Sequence, residues 1–62
     1  MSYADTLNNM GCVYYQMDRY SEARDHYRRS LEAKEEALGK EHISYASTLY
    51  NIGLALTRLG SY

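Results

Sequence analysis

One stretch of the chain occurs twice, 42 residues apart, and without a gap. Tyr3-Ala-Asp-Thr-Leu-Asn-Asn-Met-Gly11 returns as Tyr45-Ala-Ser-Thr-Leu-Tyr-Asn-Ile-Gly53. When residues 3–20 are aligned with residues 45–62, seven of the eighteen pairs are identical: Tyr3/Tyr45, Ala4/Ala46, Thr6/Thr48, Leu7/Leu49, Asn9/Asn51, Gly11/Gly53 and Tyr20/Tyr62. A fixed period of this size indicates stacked repeats, each a supersecondary unit that cannot bury its apolar face alone.

Length and composition restrict the chain to a small helical protein. Its 62 residues make one small domain, which buries about 60% of its unfolded surface and therefore depends on regular helix packing or on a partner. A net charge of −1 gives no strong attraction to nucleic acid or to anionic lipid. The absence of proline removes helix breakers.

The sequence also gives expectations about the compartment. The longest apolar run, residues 52–56, is far shorter than the roughly 20 residues of a membrane helix. The N-terminus lacks a signal-peptide pattern, and Cys12 is a single cysteine that cannot form an internal disulfide. We therefore expect a cytoplasmic protein that contacts no membrane.

The apolar periodicity predicts three helices in a single unit spanning residues 1–62. They are expected at about 3–17, 21–38 and 45–59. In the first and third, apolar residues recur at steps of 4, 3, 4 and 3, which predicts one core-facing stripe on each helix. These stripes are Tyr3, Leu7, Met10, Tyr14 and Met17 in the first, and Tyr45, Leu49, Ile52, Leu56 and Leu59 in the third.

Local signals mark the helix ends and one close contact. Ser2 with Asp5 is predicted to cap the first helix, Ser21 to cap the second, and Gly39 to end the second. Gly11 and Gly53 lie in mid-helix, where glycine costs about 1 kcal/mol relative to alanine. Because glycine lets backbones come nearer, both positions predict close approach of a neighbouring helix.

The residue types in each unit resemble the tetratricopeptide repeat. That pattern has a large residue, then Leu-Gly and an aromatic in helix A, and small-x-x-x-aromatic in helix B. The matching positions are Leu7, Met10, Gly11, Tyr14, Tyr20, Ala23, Tyr27 and Ser30 in the first unit, and Leu49, Ile52, Gly53 and Leu56 in the second. The resemblance implies an all-α fold, an antiparallel helix hairpin followed by the first helix of the next repeat, with Tyr14, Tyr20 and Tyr27 in the core.

The 42-residue period resembles the longer repeats of kinesin light chains and their bacterial relatives. Thr6-Leu-Asn-Asn-Met-Gly11 and Leu38-Gly-Lys-Glu-His-Ile43 match the motifs that open helix A and end the unit in that variety. Ile43 stands where that variety usually has proline. Without proline, the joint at Gly39 and Ile43 is a candidate hinge that could straighten and exchange the third helix with a second molecule.

The resemblance also implies a groove. Asparagine at the position of Asn9 and Asn51 commonly hydrogen-bonds a bound peptide in this family, and the A helices line the concave surface. The other residues expected near that groove are Asp5, Asn8, Cys12, Tyr15, Gln16, Tyr50 and Ala55. An alternative remains open, in which Asn9 and Asn51 bond within or between the A helices and hold the stack.

No catalytic or metal site is expected. His26, His42 and Cys12 lack the spacing of a metal-ligand pair, and the carboxylates lie among Lys and Arg on a charged helix face. Neither glycine belongs to a phosphate-binding loop, so no cofactor is expected and the chain does not read as an enzyme.

Two functions follow from the sequence. The first is protein–protein interaction, with a peptide held on the A helices. The second is self-association of a natural or engineered fragment, because one and a half repeats leave apolar ends without caps. The expected partner is a protein or peptide, or a second copy of the chain, and no nucleic acid.

Overall fold

The computed structural model describes residues 2–60 and contains three α-helices in that range. They are α1 (Tyr3–Gln16), α2 (Tyr20–Leu38) and α3 (Ile43–Leu59), and residues 2–60 include no strand. The predicted all-α class is confirmed. Helix α2 begins one residue before its predicted start, and α3 begins two residues before. Tyr62, the repeat counterpart of Tyr20, lies outside the described residues, as do Met1 and Ser61.

Polar residues form both the start of α1 and the tight turn from α1 to α2. At the start of α1, the Ser2 Oγ accepts a hydrogen bond from the Asp5 backbone N–H at 3.1 Å, as the capping pattern predicts. After α1, Asp18 adopts a left-handed φ of 63°, and its carboxylate accepts a hydrogen bond from the Tyr20 hydroxyl at 2.7 Å. The predicted cap at Ser21 is wrong, because α2 begins at Tyr20 after Arg19, which makes no side-chain cap.

The joint between α2 and α3 is bent. Gly39 ends α2 as predicted, with a φ of 87° that favours glycine. His42 then caps α3, because its ring Nδ1 accepts a hydrogen bond from the Ser44 N–H at 3.0 Å. Ile43 is the first residue of α3 and is 80% exposed. The two helices are therefore separate in the structure.

Helices α1 and α3 both pack on α2 and run parallel to each other. Short turns make each consecutive pair antiparallel, and the buried cluster joins Ala23 and Tyr27 of α2 to Ile52 and Ala55 of α3. The half-buried residues around this cluster are Cys12, Tyr14, Tyr15, Leu31 and Leu56. The described residues span 29 × 23 × 13 Å, a thin slab. None of the helices among residues 2–60 is long and apolar enough to cross a membrane.

The predicted core stripe of α1 is largely wrong. The buried residues of this helix are Ala4, Leu7 and Gly11. Tyr3 is exposed, and Met10 and Met17 are 41% and 56% exposed. Tyr27 is buried, as predicted for the aromatic core, whereas Tyr14 and Tyr20 are only half-buried.

The predicted core stripe of α3 is also partly wrong, because a different face of this helix is buried. Its buried residues are Thr48, Ile52 and Ala55, and Leu49 is 50% exposed. Shifted back by 42 residues, these buried positions fall on α1 at Thr6, Met10 and Val13, which are exposed there.

The physical reason is that an A helix has two packing faces. Helix α1 contacts α2 through one face, and α3 contacts α2 through the other. Residues 2–60 hold a single helix of type B, which lies between the two A helices, so the second face of each A helix is exposed within this range. Periodicity places both faces on a helix but cannot tell which of them finds a partner.

Candidate protein-interaction site

Polar side chains join α1 to α3 along the side where the two A helices lie next to each other. The Asn8 carbonyl Oδ1 accepts two hydrogen bonds at 3.3 Å, one from Asn51 Nδ2 and one from Thr48 Oγ1. Near the other end of the helices, Arg58 Nε donates to the Tyr15 hydroxyl oxygen at 3.2 Å. We call these five residues, Asn8, Tyr15, Thr48, Asn51 and Arg58, the A-helix seam.

A buried lysine of α2 extends the seam. The Lys34 side chain is 5% exposed, and its Nζ donates to Thr48 Oγ1 at 2.8 Å and to the Ser44 carbonyl oxygen at 3.3 Å. A buried ammonium needs such oxygen partners, because desolvation of a charge is costly. Thr48 accepts from α2 and donates to α1, so it connects all three helices.

Arg58 and Lys34 are functional candidates that sequence reasoning missed. Lys34 lies on the buried side of α2 at helical steps from Tyr27 and Ser30, and this spacing is the signal that could have found it. Arg58 occupies the repeat position of Gln16, which the sequence did assign to the groove. The hydrogen bond from Arg58 to Tyr15 raises the pKa of the guanidinium above its ordinary value.

The predicted groove residues divide by exposure. Four are half-buried along α1 and α3: Asn8, Cys12, Tyr15 and Asn51. Four are exposed: Asp5, Asn9, Gln16 and Tyr50. Ala55 was expected near the groove, and that prediction is wrong, because Ala55 is 0% exposed and lies in the core cluster against α2.

Three of the predicted groove residues contact other residues of the chain. The Cys12 Sγ accepts a hydrogen bond from the Tyr27 hydroxyl at 3.2 Å, and burial, with this bond, raises the pKa of Tyr27 above its ordinary value. The Tyr15 ring makes an edge contact with Tyr20, with ring centroids 5.2 Å apart. Asn51 bonds to Asn8 across the two A helices, which is the geometry of the alternative in which this asparagine holds the stack.

The two repeated glycines differ in their surroundings. At Gly11 a Cβ atom would lie 2.6 Å from the Cδ1 atom of the Tyr27 ring, so the predicted close approach is confirmed there. At Gly53 a Cβ atom would meet nothing within 4 Å, so the same prediction is wrong for the second copy within this chain. Within residues 2–60, no helix follows α3 to lie against Gly53.

The residues considered for metal or catalytic chemistry have structural contacts. The His26 ring packs against the Tyr14 ring at a tilt of 42°, with centroids 4.9 Å apart, and its Nδ1 lies 2.9 Å from the Glu22 carbonyl oxygen. His42 caps α3. Across residues 2–60, no group of three His, Cys, Asp or Glu side chains is placed to hold a metal ion.

Comparison with known proteins identifies the family and one relative. The model of the Tetratricopeptide repeat family matches residues 2–62. A nucleotide-binding leucine-rich repeat (NLR)-like protein of Hyaloscypha variabilis is 46% identical over 41 residues, which are 66% of this chain and 4% of that protein. The chain thus spans a small fraction of this relative's length. No solved structure matches.

Family membership carries a general function. Tetratricopeptide repeats mediate protein–protein interaction and are typically non-catalytic. The helix hairpin, the ring of Tyr27 on Gly11 and the following helix agree with a match that covers nearly the whole sequence. The chain belongs to the tetratricopeptide repeat family.

Proposed function

We propose that this chain is a peptide-binding segment whose α1 and α3 form the wall of a groove. The observation that carries the proposal is the A-helix seam, which holds two parallel helices side by side with polar side chains between them. Exposed residues of both helices flank the seam, among them Asn9, Gln16 and Tyr50. These side chains offer both donors and acceptors to an extended or short helical peptide.

Arg58 sets the chemistry of the proposed ligand. A guanidinium has five N–H donors in a planar fork, and the bond to Tyr15 uses one of them. The side chain is exposed, so the remaining donors can pair with a carboxylate. We therefore propose that the groove prefers peptides with an acidic group placed near Arg58.

A displayed library of random 12-residue peptides, selected on the immobilised chain, tests this proposal. Enriched peptides are expected to carry Asp, Glu or a free C-terminal carboxylate. Arg58→Met is expected to weaken their binding at least tenfold, because the charge-assisted hydrogen bonds are lost. Arg28→Met is the matched control, since Arg28 is an exposed arginine of α2. No enrichment, or equal loss in both variants, would refute an acidic-peptide groove.

Alanine substitutions at Asn51 and Asn8 test whether Asn51 contacts the peptide or only holds the two A helices together. If Asn51 contacts the peptide, Asn51→Ala weakens binding of the selected peptides more than Asn8→Ala does. If it serves the seam alone, both alanine variants lower the melting temperature and leave peptide affinity unchanged, because both remove the hydrogen bond between Asn51 and Asn8. Asn8→Ala then has the larger effect on the melting temperature, since it also removes the hydrogen bond from Thr48.

A second candidate function is self-association through α1. The face formed by Met10, Val13 and Met17 is exposed and borders an open pocket of about 400 Å³. Exposed apolar patches of this kind mark interaction surfaces. A second copy that presents the same face would cover it in a twofold arrangement.

A further inference from the structure

The first turns of α1 and α3 meet the last turns of α2 around a cavity of about 390 Å³, which we call the end cavity. All three helices line it, through residues that include Ala4 of α1, Ala37 of α2 and Ser44 of α3. None of the residues that line it belongs to the A-helix seam. Small-molecule sites in proteins are concave spaces of roughly 300–1,000 Å³, so the end cavity is large enough for a small ligand.

Among residues 2–60, Lys34 is the only basic side chain that lines the end cavity. It is 5% exposed, and its Nζ donates to Thr48 Oγ1 at 2.8 Å and to the Ser44 carbonyl oxygen at 3.3 Å. Both acceptors are uncharged oxygens. None of the ion pairs formed within residues 2–60 includes Lys34. Buried charges in proteins are ordinarily paired, so Lys34 lacks a counterion within this range.

One donor of the Lys34 ammonium group remains for a ligand. The group has three N–H donors, and the described residues accept from two of them. Water can serve the third donor, but it supplies no opposite charge to offset the cost of burying a cation. A carboxylate oxygen would supply both the acceptor and the charge, and charge-assisted hydrogen bonds are roughly twice as strong as neutral ones.

The other charges around the end cavity favour an anion with a single charge. The starts of α1 and α3 both lie here, and a helix N-terminus carries a partial positive charge. The first turn of α3 has no acidic residue, whereas that of α1 contains Asp5, an exposed residue that lines the cavity. Because Coulomb energy scales with charge, Asp5 repels a dianion about twice as strongly as a monoanion. A monocarboxylate is therefore favoured over a dianion such as sulfate.

Most of the remaining wall of the end cavity is apolar. Ala4, Ala33 and Ala37 contribute methyl side chains. Tyr3 and Leu38 contribute larger apolar surfaces, which are 72% and 49% exposed. A ligand that covers this surface is stabilised in proportion to the apolar area removed from water. The occupant that fits the cavity therefore combines a carboxylate with an apolar body.

We propose that the end cavity binds a free monocarboxylate with a short apolar body, such as a short-chain aliphatic acid. The carboxylate accepts a hydrogen bond from Lys34 Nζ, and the apolar body lies against Ala37 and Leu38. The end cavity and the proposed peptide groove at Arg58 are formed by different residues, so the inference does not depend on that groove.

Titration of the isotope-labelled chain with sodium hexanoate, followed through the amide chemical shifts, tests the proposal. We expect saturable shifts at Ala33, Ala37 and Ser44, with a Kd of about 1 mM for a ligand of this size. Hexanamide has the same shape without the charge and is expected to bind at least tenfold more weakly. Sulfate, a dianion at neutral pH, is also expected to bind more weakly than hexanoate.

Variants of the chain locate the binding surface. Lys34→Met keeps the length of the side chain and removes its charge, so we expect hexanoate affinity to fall at least tenfold. Ala37→Leu fills the end cavity and leaves Lys34 in place, and the same loss is expected. Ala46→Leu is the matched control, at an exposed alanine that does not line the cavity, and should bind as the wild type does. Circular dichroism establishes that the variants are folded.

Asp5→Asn provides a test in the opposite direction. This substitution removes the carboxylate that repels the ligand, so hexanoate should bind more tightly than to the wild type. A purely structural role of Asp5 would give no such gain.

Four results would overturn the proposal. The first is no saturable shift at the residues of the end cavity. The second is a hexanoate affinity no higher than that for hexanamide or sulfate. The third is unchanged hexanoate affinity in either Lys34→Met or Ala37→Leu. The fourth is a set of shifts centred on Tyr15 and Arg58, which would place the carboxylate in the proposed groove.

Discussion

At the scale of single residues, the hydroxyl of Thr48 links α3 to both other helices. Its hydroxyl accepts a hydrogen bond from Lys34 of α2 and donates one to Asn8 of α1, and the residue is 0% exposed. Thr48→Val keeps the shape but leaves a buried ammonium and a half-buried amide without this partner. We expect the free energy of unfolding, measured by urea titration, to fall by about 1–3 kcal/mol.

A matched control for Thr48 lies on the same helix. Thr57 is exposed, and its Oγ1 bonds only locally to the Gly53 carbonyl oxygen at 2.9 Å. Thr57→Val is expected to change the free energy of unfolding by less than about 0.5 kcal/mol. Equal effects of the two substitutions would mean that the hydroxyl of Thr48 does not hold α3 to the other helices.

Tyr27 gives the chain a sensitivity to alkaline pH. Burial raises the pKa of its hydroxyl above the ordinary value of 10.0, so the folded state favours the neutral phenol. The stability from this preference is complete below about pH 10 and is lost as the pH rises through the folded pKa. Between about pH 10 and 11.5, the wild type should lose stability relative to Tyr27→Phe.

Thermal unfolding across this pH range measures the effect on Tyr27. Because the other seven tyrosines are common to both proteins, the difference in melting temperature isolates the buried hydroxyl. Tyr50→Phe, at an exposed tyrosine, should follow the wild type at every pH. A constant difference between wild type and Tyr27→Phe would show that the phenol ionises as easily in the folded state as in the unfolded chain.

At the scale of elements, the joint between α2 and α3 is already suited to proline. Ile43 is the first residue of α3, where the N–H needs no intrahelical acceptor, and proline is favoured at such positions. His42 before it has φ −74° and ψ 142°, the extended region that a following proline requires. The bend therefore forms without the proline of the longer repeat variety.

Ile43→Pro should stabilise the chain. Because its native conformation is compatible, we expect a gain of about 0.4–1 kcal/mol, chiefly from a less flexible unfolded chain. Ile43→Ala is the control for loss of the exposed side chain. Urea denaturation measures the free energy of unfolding of both variants. If Ile43→Pro were destabilised and Ile43→Ala were not, the joint would not be bent in solution as described.

The elements also show what the sequence can and cannot predict. Turn residues and apolar spacing were sufficient to predict three helices, the capping Ser2 and the end of α2 at Gly39. They were not sufficient to predict which side of each A helix is buried, because Leu7 and Leu49 are the same residue type at the same repeat position, and yet Leu7 is 6% exposed and Leu49 is 50% exposed. Which side is buried depends on the neighbouring helices and not on the local sequence pattern.

The candidate site was predictable to the same extent. The family resemblance selected Asn51 and Tyr15, which do lie on the A-helix seam. It did not select Lys34, because a lysine among the charged residues of α2 is expected to be exposed. Only the position of Thr48 in the fold shows that Lys34 has a buried partner. Cross-helix partners of this kind are set by tertiary packing.

At the scale of the whole molecule, residues 2–60 form a thin slab with exposed apolar residues at both ends. The shortest extent of the described residues is 13 Å, so few residues are out of contact with water. If copies associate through α1, Val13→Glu should abolish dimers that sedimentation equilibrium detects at high concentration, because the new charge would be buried. Leu49→Glu, at the other end, should leave them unchanged. The reverse pattern would refute association through α1.

One helix sequence occurs twice in the chain, and within residues 2–60 a neighbouring helix covers its glycine face only in the first copy. Two substitutions test this difference directly. At Gly11 a methyl group would meet the buried Tyr27 ring at 2.6 Å, and overpacking of this kind typically costs about 1–3 kcal/mol. At Gly53 nothing lies within 4 Å, so alanine brings only its better helix propensity, about 1 kcal/mol.

The decisive measurement is the free energy of unfolding of Gly11→Ala and Gly53→Ala by urea denaturation, at a concentration where the chain is monomeric. We expect opposite signs, with Gly11→Ala less stable and Gly53→Ala more stable than the wild type. Changes of the same sign would contradict this expectation, because the two glycines would then have the same surroundings.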